Sequence, residues 1–299
     1  MWFRNLFLYR IEFWPQQSPE QLADALETQR INDCGRLEPL STGWTSPLGR
    51  QHEVLTHAAN GCILLRYAKQ EKVIPAAVVR EAVAQRGEEL ANKRGQPTVG
   101  KERVRLRDEV IMELLPQAFV KPSHTDLYLD PKSGWLVIDT ASAKSADEIV
   151  ALLRKSVDGL KLSVLDVSNR VKTLMTDWLA KASLPNTLSF GDECDLRDER
   201  DAGSVVRCRK QDLTSDEIQP HIEAGKKVIR LGLYWQERLS FVFSEDFVIL
   251  KLKPQDLLIT QMQDIQGEDA LATLDGEFAL LNLEVASLLK DLQEIFELP

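Results

Sequence analysis

Residues 228–252, VIRLGLYWQERLSFVFSEDFVILKL, hold three apolar runs: Val228 to Trp235, Leu239 to Phe243 and Phe247 to Leu252. Each is rich in Val, Ile, Phe or Leu, too short for an ordinary helix and bounded by polar breaks, so the three read as strands in series. Downstream, Phe278, Leu281, Val285, Leu288, Leu289, Leu292 and Ile295 recur at helical spacing and predict a long amphipathic helix. Upstream, Thr214-x-x-Glu217 has the form of a capping box, and Gly225 follows where a helix would end. The acidic, polar stretch Gly191 to Gly203 reads as a loop.

The same strand-then-helix texture occurs in the first half. Phe3, Phe7, Tyr9 and Ile11 share one face of a strand, and Leu6 and Leu8 make its other face apolar. Ser18-Pro19-Glu20-Gln21 opens a capped helix with proline at its first position. A Gly- and Pro-containing loop, Gly35 to Gly49, precedes two strands, Val54 to Ala58 and Cys62 to Tyr67, that turn at Asn60-Gly61. Ala76 to Arg94 is helical, with Val79, Ala82, Val83 and Leu90 on one stripe. After a turn at Gly95 to Gly100, Lys101 to Leu115 is a second helix with Val104, Ile111 and Leu115 on its stripe, stopped at Pro116. Such narrow stripes fit an antiparallel helical hairpin. A β-hairpin follows, Leu127 to Leu129 with Trp135 to Ile138, and Ser145-x-x-Glu148 caps a helix through Ile149, Leu152 and Leu153.

The fold class is therefore α+β: two related strand–helix lobes with an inserted helical-hairpin finger, and not a doubly wound sheet. The expected division is an N-terminal lobe at 1–75, continued by 121–165, a finger at 76–120, and a C-terminal lobe at 166–299. No internal sequence repeat is visible.

At 299 residues and 43% hydrophobic content the chain can bury one large core or two smaller ones. No apolar run approaches the roughly 20 residues of a membrane span, which argues against an integral membrane protein. The apolar start MWFRNLFLYRIEFW is interrupted by Arg4 and Arg10 and lacks a cleavage site, so it reads as a strand rather than a signal peptide. Cys34, Cys62, Cys194 and Cys208 are far apart, as expected of a reduced cytosolic protein. The net charge is −9, yet the segment from Gln255 to Pro299 has ten acidic residues against Lys290 alone and carries all of it. Residues 1–254 thus sum to zero, and a locally basic surface on them is compatible with the acidic total.

Neither GxxxxGK[ST] nor GxGxxG occurs, so the usual phosphate-cradling loops are missing. His52 and His57 are five apart, the wrong spacing for one helical face, and GxSxG is absent. The one catalytic candidate is the acidic group Asp192, Glu193, Asp195, Asp198, Glu199 and Asp201, which could hold Mg²⁺ for phosphodiester hydrolysis. Arg197 and Arg200 interleave it, as in an ordinary solvated loop.

Two basic clusters stand out. Arg80 to Arg107 has eight basic residues against four acidic ones. Lys101 and Arg105 lie to one side of the second helix's stripe, Arg103 and Arg107 to the other. Side chains so placed either snorkel over the stripe or reach phosphates, by charge and without sequence information. The second cluster is Arg207, Arg209, Lys210 and Gln211, where a strand is expected to meet the Thr214-capped helix, an anion-friendly place. No recognition helix, zinc finger or RNP motif accompanies either, so DNA binding here should be sequence-independent.

MWFRNL, GWTSPLG (Gly43–Gly49), LTHAANG (Leu55–Gly61), LLPQAF (Leu114–Phe119), DTASAK (Asp139–Lys144), ALLRKS (Ala151–Ser156), RKQDLTSDEI (Arg209–Ile218) and HIEAGK (His221–Lys226) together resemble, in the same order over nearly the whole chain, the bacterial recombination-associated RdgC family. The resemblance implies a cytoplasmic, nucleoid-associated, non-enzymatic protein that needs neither cofactor nor metal. It implies a ring-shaped homodimer that encircles double-stranded DNA, binds it non-specifically and restrains RecA-mediated recombination; single-stranded DNA is a further candidate ligand. Carried over by position, Lys210 and Gln211 face the hole and contact the DNA backbone. Ala76 to Pro116 is the finger, with Phe119 at its base where the ring closes, beside Leu114 and Leu115. Gln117 stands where some relatives carry arginine, which removes one charge contact. Two rival readings are a metal-dependent nuclease using the Asp192–Asp201 acids and a protein-interaction scaffold acting through the C-terminal helix.

Overall fold

The computed structural model describes residues 1–49, 52–201, 203–215, 217–265 and 269–298. Ala202 of the expected loop, Asp216 of the RKQDLTSDEI stretch and Glu268 of the acidic segment lie outside them. The chain forms two compact units. One comprises Met1–Thr28, Ser46–Arg66 and Thr125–Pro299; the other comprises Gln29–Thr45 and Tyr67–His124.

The first half of the chain runs β1 (Phe7–Phe13), α1 (Pro19–Glu27), β2 (Leu40–Thr45), β3 (Thr56–Ala59), β4 (Cys62–Val73), α2 (Ala76–Arg94), α3 (Lys101–Leu114), β5 (Phe119–Asp130), β6 (Trp135–Ile138), α4 (Ala143–Ser156) and β7 (Lys161–Ser163). Its seven strands form a sheet in the order β2-β4-β5-β6-β1-β7, with β3 on β4. The second half runs α5 (Ser168–Lys181), β8 (Leu188–Asp198), β9 (Val205–Arg209), α6 (Gln219–Glu223), β10 (Lys226–Trp235), β11 (Leu239–Ser244), β12 (Ile249–Pro254), α7 (Asp256–Asp264) and α8 (Ala270–Ile295). Its five strands form a second sheet, β12-β11-β10-β8-β9, in which every ladder is antiparallel. Among the described residues no helix is long and apolar enough to cross a membrane.

Local chemistry explains most of the elements. Ser18 caps α1 reciprocally with Gln21. The β3–β4 turn places Asn60 at φ 53° and Gly61 at φ 78°, the two positive values that a type I′ turn demands. Four expectations are corrected. The Gly35–Gly49 loop contains β2, and most of the Gly191–Gly203 loop is β8, because Cys194 and Leu196 point inward between outward acids. The helix after β6 is capped by Ser142, three residues before Ser145, with the Ser142 hydroxyl accepting the Ser145 N–H. Thr214 caps nothing: its N–H and hydroxyl both donate to Asp212 Oδ1, at 2.9 and 2.6 Å, in an Asx turn. The helix that follows, α6, is only five residues long.

In the larger unit one continuous core joins the two sheets through α8. Phe278 packs on Tyr128 of β5, with ring centroids 5.7 Å apart. Seventeen residues on, Phe296 meets Phe243, Phe247 and Trp178 at 5.2, 5.7 and 5.4 Å. Leu281, Val285, Leu288, Leu289 and Leu292 between them are buried, so the C-terminal stripe is consumed by its own chain. This removes the basis of the scaffold reading. Arg238 fixes α8 further, donating to both Glu284 carboxylate oxygens and, at 3.1 Å, to Gln261 of α7.

The smaller unit contains the α2–α3 pair, whose buried apolar set is Val79, Val83, Leu106 and Val110. The α3 stripe is corrected here. Leu106 and Val110 face α2, whereas Val104 is 60% exposed.

Candidate nucleic-acid interface

β9 is an edge strand, and its register against β8 pairs Glu193 with Arg209, Cys194 with Cys208, and Asp195 with Arg207. Alternation sends the cysteines into the core and the charged residues to the outer face. Arg209 is held there by two carboxylates, its Nε 3.1 Å from Glu193 and its Nη2 2.7 Å from Asp195. Its Nη1 also donates to the Cys194 and Cys208 carbonyls, at 3.2 and 2.7 Å. Burial opposes the Arg209 charge, but the Asp195 and Glu193 carboxylates outweigh it and raise the guanidinium above its ordinary value.

Lys210 ends β9 in the left-handed region, at φ 54°, and is exposed. The turn lets Gln211 N–H reach Asp192 O at 3.2 Å, while Gln211 Nε2 donates to Glu217 at 2.9 Å. Because the Asx turn replaces the expected helix start, Lys210 and Gln211 do not sit at a helix N-terminus. Their anion-attracting character comes from charge and exposure alone. The Thr214 bonds hold the Asp212 carboxyl below its usual range, so this turn also carries a fixed negative charge.

The other cations, Lys101, Arg103, Arg105 and Arg107, belong to the smaller unit, and all four are exposed on α3. Arg103 and Arg107 join Arg80 and Lys72 around an apolar groove of about 840 Å³ floored by Val79, Val83, Val104 and Ile111. By contrast Arg86 is spent on Glu113, with two bonds of 2.8 and 2.7 Å, and Arg94 on Glu102. Of the ring-closing candidates, Leu115 is buried and Leu114 packs on the α2–α3 core. Phe119, at the start of β5, is 87% exposed.

The acids offered for metal chemistry are dispersed and engaged. Glu193 also binds Lys251 Nζ at 2.8 and 2.7 Å, and Asp195 lies 3.9 Å from Arg230. Asp198 accepts the Arg200 N–H at 2.9 Å, Glu199 pairs with Lys172 at 2.8 Å, and Asp201 accepts the Gly203 N–H at 3.1 Å. Among the described residues no three acids, cysteines or histidines converge on a common point. Arg230, Lys251 and Lys253, absent from the sequence reading, are the additional cations near Arg209. Their signal was the period-two placement of charge in β10 and in Lys251-Leu252-Lys253.

A family model described as "Putative exonuclease, RdgC" matches residues 1–298. The chain is 37% identical over 294 residues to proteins named recombination-associated protein RdgC from Yersinia enterocolitica, Yersinia pestis and Yersinia pseudotuberculosis, covering 98% of this chain and 97% of each relative. A match of this extent, continuous across both sheets, the finger helices and the β8–β9 edge, places the chain in the RdgC family of recombination-associated proteins.

Proposed function

We propose that the protein binds double-stranded DNA without sequence preference, encircles it as a homodimeric ring, and restrains RecA-mediated recombination by occupying the DNA. The observation that carries this reading is the exposed, unpaired Lys210 beside Arg207 on the edge strand of a sheet whose other face is core. Cations presented on a rigid strand, with no element shaped to enter a groove, contact phosphates and read no bases. The 87% exposure of Phe119 supports its role in ring closure, since large aromatics seldom stay bare without a partner surface. In this reading the site is nucleoid-associated and non-enzymatic, because the β8 acids are spent on cations and turns rather than on a shared metal.

Lys210→Ala combined with Gln211→Ala should weaken binding to all duplexes alike. A loss confined to one sequence would contradict the phosphate-contact reading. If about four phosphates per ring are neutralised, log affinity falls against log salt with a slope of about −3.6.

A further inference from the structure

On the outer face of the five-stranded sheet, positive charge extends well beyond β9. The contacts fix the geometry: Arg209 on β9, Arg230 on β10 and Lys251 on β12 all converge on Glu193 and Asp195 of β8. Lys253 and Tyr234 flank the adjoining groove, of about 230 Å³, together with Lys251. Its floor is bare because Gly191 and Gly232 face each other across β8 and β10. A Cβ on Gly191 would lie 2.9 Å from the Gly232 carbonyl carbon.

We propose that this face is a phosphodiester-binding surface in which Arg230, Lys251 and Lys253 extend the Arg207–Lys210 edge, and that Glu193 and Asp195 weaken it by competing with phosphate for the shared cations. The inference rests on the DNA-binding reading above and deepens it. Cross-strand ion pairs that only stabilise a sheet need one cation for each acid. Here three cations share two carboxylates, and Arg207, Lys210 and Lys253 carry no ion pair, so the face holds excess positive charge. The carboxylates are also the least accessible members: the Asp195 side chain is 5% exposed and Glu193 16%, whereas Lys251 is 57% exposed and Arg230 51%. An incoming phosphate thus meets the cations first. At a strand spacing of about 4.8 Å, β9 and β12 stand roughly 19 Å apart. Duplex DNA presents one charge per about 1.7 Å of axis, so this width faces on the order of ten phosphate charges.

The test is fluorescence anisotropy of a random 30-base-pair duplex on the full-length protein across a salt series. Lys251→Gln with Lys253→Gln should weaken binding and flatten the log–log salt slope by about 1.8 per subunit. Lys253→Glu, at a side chain outside the ion-pair network, should weaken binding with an unchanged melting temperature, which separates charge from folding. Glu193→Gln should tighten binding about fivefold, the effect of removing one like charge about 4 Å from a phosphate in a high dielectric. If the lysine variants keep wild-type affinity and slope while Lys210→Ala weakens binding, the extended surface is overturned and the DNA-binding reading stands. Weaker binding by Glu193→Gln, with the fold intact, would overturn the competition. Absence of wild-type binding at 50 mM salt would remove the DNA-binding reading and this inference with it.

Discussion

Replacing Leu106 by alanine should melt the α2–α3 pair locally. The pair buries four apolar side chains, Val79, Val83, Leu106 and Val110. At about 1.5–3 kcal/mol each, that set supplies roughly 6–12 kcal/mol before any entropic cost. Leu106, 4% exposed, is its largest member. Its truncation costs about 2–5 kcal/mol, a large share of what holds the pair together. The Arg86–Glu113 and Arg94–Glu102 pairs are exposed to solvent and compensate little. Amide hydrogen exchange of residues 76–114 should therefore accelerate by about 30-fold to several thousand-fold, at 1.36 kcal/mol per decade. The amides of β10 to β12 should keep their protection. Val104→Ala, on the stripe that the sequence alone selects, should change little because Val104 is 60% exposed. Unchanged exchange in Leu106→Ala, or equal acceleration in β10 to β12, would refute the reasoning.

Three further outcomes are expected. Glu284→Ala leaves the Arg238 guanidinium without its main partner beneath α8 and should cost about 2–3 kcal/mol, read as a lower urea midpoint; Arg238→Met with Glu284→Leu should recover part of it. Glu113 is held below its ordinary value by the hydrogen bond from Arg86, so its support for the helix pair is present above the unfolded carboxyl value of about 4.5 and is lost as pH falls through the lower folded one. An NMR titration of the Glu113 carboxyl should show the depression, and Arg86→Ala should abolish it. Phe119→Ala should raise the dimer dissociation constant without altering the circular dichroism spectrum, and sedentary dimerisation in sedimentation equilibrium would count against the ring-closing role.

Much of the fold was legible because short-range rules sufficed. Asn60-Gly61 fixed its hairpin through the left-handed backbone that both residues tolerate, and three apolar runs fixed β10 to β12. The misreadings arose where local signals competed. In 191–198 the density of acids outweighed the alternation of Cys194 and Leu196, although cross-strand cations neutralise those acids in the folded chain. On α3 two stripes were available, and only contact with Val79 and Val83 selects Leu106 and Val110 over Val104. At 212–214 an aspartate captured the threonine that a capping box would have used. Lys210 was visible as charge in an edge cluster. The fate of Arg209 was not, because Lys251, the second cation on Glu193, lies 58 residues further along the chain.

The central claim is non-specific binding of duplex DNA by phosphate contact. Its most direct test is the affinity for a random 30-base-pair duplex at 50 and 200 mM salt, measured by anisotropy without added metal. The account predicts tight binding at 50 mM and a loss of about 150-fold at 200 mM, as a slope near −3.6 requires. Salt-independent affinity, or no binding at 50 mM, would contradict it.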